Sequence, residues 1–160
     1  VAESNLTVAA FQVAQAAAQL QAMTALRLSR EESRFKSEVV AVLKQVEQET
    51  GVTAHYDVPF DPERLFVADC LFNVSKPVAI LIASTTERLL EAELAWSHLR
   101  RLNDPTLIFA VIEDAAQVGK KQAARANYFT DKTYTFRDFE PIFRDAITQT
   151  VQPRVAVPMH

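Results

Sequence analysis

The sequence predicts a mixed α/β fold: a long N-terminal helical arm followed by a four- to five-stranded mixed sheet, in the order α-α-β-β-β-α-β-α-β-α. Three observations carry that expectation. No glycine or proline interrupts residues 1–50, which suits an extended helix. Short apolar runs then follow one another closely between residues 52 and 84, as in a meander of neighbouring strands. Beyond residue 84 apolar strands alternate with amphipathic helices, and such a crossover implies parallel pairing.

In the arm, Leu6, Ala10, Val13, Ala17 and Leu20 alternate spacings of four and three, the seam of a helix that packs on a partner. Gln12, Gln15 and Gln19 fill another face. Ser29 and Glu32 stand at capping-box spacing and predict a break there. A second helix follows, with Phe35, Val39, Val42 and Val46 as its buried stripe and Gly51 as its end. Strands are expected near 52–58, 65–72 and 77–84, separated by the Asp61-Pro62 turn and a hairpin at Asn73–Lys76. Ser84 and Glu87 repeat the capping spacing before a helix with the stripe Leu89, Ala92, Trp96 and Leu99, which Asn103-Asp104-Pro105 stops. A strand at 106–112, a helix at 118–129, a short strand at 132–136 and a helix at 139–150 complete the domain. The organisation expected is an arm over 1–29, an α/β domain over 30–151 and a tail over 152–160, loose or docked as an edge.

Composition narrows the function classes. With 160 residues, 49% apolar and 23% charged, the chain suits one globular domain with a real core. A net charge of −3 gives no global pull toward nucleic acid or acidic membranes. Cys70 is the only cysteine, so an intramolecular disulfide is excluded and a reducing, cytoplasmic location is expected. No apolar run reaches the roughly 18–20 residues of a membrane span, so no membrane partner is expected. The first residue is Val1 rather than Met, and a missing N-terminal domain is therefore an expected partner. Gly51 and Gly119 are too few for a glycine-rich phosphate cradle, which excludes nucleotide binding of that kind.

Glu38 lies on the helix before the meander, and Asp69 sits mid-strand in the run Leu65-Phe66-Val67-Ala68-Asp69-Cys70-Leu71-Phe72. A helix, a three-strand meander, a crossover helix and a fourth strand in this order resemble the restriction-endonuclease-like (PD-(D/E)xK) proteins. The resemblance implies a helix carboxylate, an Asp on the second strand and an acidic-x-Lys on the third, gathered around a divalent cation. Carboxylates would hold Mg²⁺ and the lysine would steady the attacking water. The third strand here reads Ala79-Ile80-Leu81-Ile82-Ala83, with neither group. Glu38 and Asp69 are therefore vestigial candidates; no catalytic residue, metal or cofactor is expected. Mg²⁺ enters only if the missing groups come from elsewhere. More narrowly, Leu26-Arg27-Leu28-Ser29-Arg30, Phe35–Leu43, Phe66-Val67-Ala68-Asp69, Pro77 and Leu107-Ile108-Phe109-Ala110 resemble the C-terminal domain of an uncharacterised bacterial and phage protein family. Its members join a small N-terminal domain, a helical arm and a nuclease-like, inactive domain. The chain departs from that pattern in its third strand, and only Thr86-Glu87-Arg88 is similar to the family's Pro-Glu-Arg segment.

The remaining constellations carry weaker chemistry. Asp69, between Val67 and Leu71, is costly to bury alone. It is either a former metal ligand with Glu38 or a carboxylate met by Arg, Lys or backbone N–H groups. His55, His98 and His160 have no Cys or His at ligand spacing, so no transition-metal site is expected. Cys70 reads as a small core residue, and Ser84, His98 and Asp104 lack the glycines of a nucleophile elbow. Arg100 and Arg101, and Lys120, Lys121 and Arg125, form two basic turns that could touch phosphates, although such turns are commonly just solvated faces. Leu6, Val13 and Leu20, with Leu90 and Leu94 off the main stripe of their helix, are the candidate interface. The leading expectation is a non-catalytic binding or assembly domain, homo-oligomeric through its N-terminal helix. A metal-dependent DNA nuclease rearranged around Glu38, Asp69 and a helix-borne Lys or Glu is one alternative. A phage- or plasmid-borne protein-binding inhibitor is the other.

Overall fold

The computed structural model describes residues 2–152, with side chains from Asn5 onward; of the tail expected over 152–160, all but Gln152 lies outside the described residues, His160 included. The chain divides into two compact units, one through Phe35 and one from Lys36.

Helix α1 spans Ala2–Thr50 without interruption. The break expected at Ser29 does not occur. A serine cap ends a helix only if the preceding residue leaves helical geometry, and no glycine or proline near Ser29 forces that. The true end comes at Gly51, whose φ of 70° is left-handed and whose N–H donates to the Glu47 carbonyl 2.9 Å away.

From Lys36 onward the chain builds a five-stranded sheet in sequential order: β1 (Ala54–Pro59), β2 (Val67–Phe72), β3 (Val78–Ala83), β4 (Leu107–Ile112) and β5 (Lys132–Thr135). β1, β2 and β3 form the antiparallel meander, while β3–β4 and β4–β5 are parallel. Helix α2 (Thr86–Arg101) makes the first crossover, α3 (Ala115–Val118) and α4 (Lys120–Ala126) the second, and α5 (Glu140–Val151) closes the domain. The order is thus α-β-β-β-α-β-α-α-β-α, a mixed α/β fold as expected but with one helix moved. The helix expected over 118–129 is two pieces because Gly119 adopts φ 93°, and a side chain there would collide with Gln122. The cap of α2 also lies one residue later than expected: Thr85, not Ser84, accepts the Arg88 N–H at 3.2 Å.

Residue pattern sets the layers. Every residue of β3 is buried, as suits a central strand covered on both faces. On one face Ala79, Leu81, Ala83, Ile108, Ala110 and Ile112 pack with Leu89, Ala92 and Leu99 of α2. The alanines on these strands let the helix approach closely. On the alternate positions Phe109, Tyr134 and Phe143 meet edge to face at 5.5–5.6 Å, tying α5 to β4 and β5.

Candidate functional site

Strand register brings two carboxylates together. β1 and β2 pair Tyr56 with Cys70 and Val58 with Ala68, so Asp57 stands opposite Asp69. Like charges placed directly across a ladder repel, and the regular pairing omits this step. Asp57 relaxes into a left-handed φ of 52°, a conformation Asp tolerates better than most residues. On the other edge of β2, the ladder to β3 runs from Phe72 and Val78 to Cys70 and Ile80 and then stops. There the Asp69 carboxylate takes over: its Oδ2 accepts the Ile82 N–H at 2.6 Å. A side chain thus supplies an acceptor that a backbone carbonyl supplies elsewhere in the ladder.

Two cations reach this point from two helices. Lys36 of α1 places Nζ 3.1 Å from Asp69 Oδ1 and 3.0 Å from Asp57 Oδ1. Arg88 of α2 donates through Nη2 to Asp69 Oδ2 at 3.0 Å and to the Val67 carbonyl at 2.9 Å, and through Nη1 to Glu91 at 2.6 Å. The Asp69 side chain is only 8% exposed. The hydrogen bond to Asp57, aided by Asp69, holds the Lys36 ammonium above its ordinary pKa against the pull of burial. Burial works against the charge of Arg88, and the neighbouring Asp69 outweighs it. Both groups are firmly cationic at neutral pH.

The cluster is therefore a closed set of charge-assisted hydrogen bonds joining α1, the sheet and α2. Both Asp69 oxygens are engaged, and β3 beside them offers only hydrocarbon. Of the two roles weighed for Asp69, pairing with cations is the one its contacts describe. A divalent cation at Asp57 and Asp69 would have to displace Lys36. Glu38 lies exposed on α1. Reading the sequence missed Asp57 and Lys36 altogether and noted Arg88 only within Thr86-Glu87-Arg88. The signal for Lys36 was its place three residues before Val39 on the buried stripe of α1.

The other candidates scatter. Arg100 bonds the Thr106 carbonyl and lies 3.6 Å from Asp131, and Arg125 grips the buried Glu93 through Nε and Nη2 at 2.9 and 3.2 Å. Arg101, Lys120 and Lys121 are exposed, so two of the five basic candidates are already engaged within the fold. Leu90 and Leu94 are exposed on α2, and Leu6, Val13 and Leu20 are 66–71% exposed on α1. His55 is exposed, while Cys70 is fully buried, its thiol pushed up to about 12 chiefly by burial.

His98 is not isolated. Its Nε2 lies 2.9 Å from Glu63 Oε2, and its ring rests 5.9 Å from that of Phe66. With Asp61 these residues form a group whose ligand atoms come within 4.8 Å of one another. Asp61 is committed elsewhere, because its carboxylate accepts the Leu65 and Phe66 N–H groups at 2.9 and 2.8 Å. Burial pushes the Asp61 pKa up, but those backbone bonds outweigh it and hold the group below the usual range. The trio clasps the turn that carries Arg64 at φ 59°. Among the described residues no helix is long and apolar enough to cross a membrane.

No protein-family model, curated protein or solved structure matches the chain.

Proposed function

We propose that this chain is a non-catalytic binding and assembly domain of nuclease-like fold, and that its N-terminal helix joins it to a second copy. The observation that carries the proposal is the first half of α1. Every residue from Asn5 to Glu31 is exposed, including Leu6, Val8, Phe11, Val13, Leu20, Met23, Leu26 and Leu28. Covering one such side chain is worth roughly 1.5–3 kcal/mol, so water is a poor neighbour for this helix. The non-catalytic part rests on Asp69, whose oxygens are held by Lys36 and Arg88, and on the hydrocarbon of β3. A cytoplasmic location belongs to the same reading and is supported by the lone, buried thiol of Cys70.

Light scattering of the full chain beside Val13→Glu/Leu20→Glu tests it. At high concentration the parent should approach twice the mass of the variant; equal masses at every concentration, with equal circular dichroism, would defeat the proposal.

One observation favours a second reading. Lys36 stands between Asp57 and Asp69, a helix-borne lysine beside two carboxylates, as a rearranged metal-dependent DNA nuclease would use. Mg²⁺ binding by calorimetry and plasmid nicking, both abolished in Asp69→Asn, would install this reading in place of the first. DNA as a partner belongs to it alone.

A further inference from the structure

We propose that the second copy docks antiparallel, in a register that sets Leu6 against Thr24, Ala10 against Leu20 and Val13 against Ala17 of the other helix; this rests on the assembly reading above. The seam of α1 alternates bulk strictly. Leu6, Val13 and Leu20 are large, while Ala10, Ala17 and Thr24, at the intervening steps of four and three, are small, and all are exposed.

Two helices sharing such a seam have two ways to meet. In a parallel, in-register pair, layers of Ala against Ala would alternate with layers of Leu against Leu. The helices would have to approach closely at one layer and part at the next, about 5 Å along, leaving voids at the alanines. Turned end for end, every layer sets one large residue against one small one, and a single spacing fills them all. The register named above does this for the whole seam at once, because its two-fold axis passes level with Gln15. Gln12, Gln15 and Gln19 remain on the far side, and Val8, Phe11 and Leu26 lie there with them, outside the seam.

Charge and area both suit a second copy as the occupant. From Asn5 to Leu26 the chain carries no Asp, Glu, Lys, Arg or His, so the strip matches an uncharged partner and repels none of its own kind. In this register Asn5 to Ala25 of the two copies overlap over about 30 Å of helix, and an apolar strip about 10 Å wide along it amounts to roughly 300 Å² per copy on a smooth cylinder. Side-chain relief raises the pair toward about 1,000 Å², the floor for a specific interface. The dimer is therefore expected to be reversible and to depend on concentration.

A spin label at Ala25→Cys on the full chain tests the register, since Ala25 is exposed and Cys70 is fully buried and out of reach of the reagent. In the antiparallel pair Ala25 lies level with Asn5 of the other copy. The two labels are then at least about 30 Å apart along the axis, by the rise of a helix. The electron–electron distance should sit at or above that value, and adding Val13→Glu should abolish the dipolar signal. A distance under about 20 Å, as in a parallel pair 8–10 Å apart, overturns the register but leaves the assembly standing. No dipolar signal from the parent at any concentration overturns the assembly itself.

Discussion

The two halves of α1 are built alike and end differently. Both lack glycine and proline and both carry an apolar residue every three or four positions, and both are helix. Yet Leu6, Val13 and Leu20 are 66–71% exposed, while Val39, Leu43 and Val46 are completely buried. Charge separates them as well. The first half is uncharged from Asn5 through Leu26, whereas Lys36 and Lys44 in the second reach Asp57, Asp69 and the ring of Tyr56. Helix formation is decided locally, by what the backbone tolerates. Burial is decided by whether the rest of the chain supplies a surface. The second half has the sheet; for the first half a second copy is the surface proposed.

Substitutions sharpen that contrast. The largest effect is expected from matching charges placed in the two halves. Val39→Asp buries an unpaired carboxylate and should cost more than about 4 kcal/mol or prevent folding. Val13→Asp should leave the urea stability of the monomer within about 0.5 kcal/mol. Similar losses from the two would erase the distinction between them.

Asp69→Ala comes next. It strands the half-buried Arg88 guanidinium and the Ile82 N–H, and breaking a buried pair in this way costs about 3–4 kcal/mol. Urea denaturation measures it. A loss below about 1 kcal/mol, with Mg²⁺ affinity destroyed, would mark Asp69 as a ligand rather than a structural anchor.

Asp61→Asn should cost about 1–2 kcal/mol, because two backbone N–H groups lose an ionised acceptor. Its pH dependence has a definite sign. The folded carboxyl titrates below its ordinary value of 3.8, so its stabilisation is complete above that value and is lost as pH falls through the folded pKa. The gap between parent and variant should therefore narrow on acidification; a gap that widens in acid contradicts the assignment. The smallest effect separates two hydroxyls. Thr85→Ala should cost about 1 kcal/mol and Ser84→Ala less than about 0.5, since only Thr85 caps α2.

Much of this was legible in residue order. The short strand runs of β1 and β2, the hydrocarbon run of β3 and the crossover of α2 could be read there, and with them the meander and the parallel β3–β4 pair. Capping spacings misled twice. Ser29–Glu32 and Ser84–Glu87 each fit the box, but whether a box is used depends on where neighbouring residues leave the helix. Gly119 was seen only as a scarce glycine, although its left-handed φ splits α3 from α4. The site was half legible. Asp69 stood out as a carboxylate in an apolar strand, but its partners lie 33 and 19 positions away, and only strand register and helix placement bring Lys36, Asp57 and Arg88 to it. Likewise Arg125 looked like part of a basic turn until Glu93, from another helix, neutralised it.

The central claim is that the exposed half of α1 is covered by another copy of this chain, and sedimentation equilibrium over a wide concentration series tests it most directly. The account predicts a mass rising from 17.9 kDa toward twice that value, with the rise abolished by Val13→Glu/Leu20→Glu. A mass fixed at 17.9 kDa up to the highest concentration reached would contradict it.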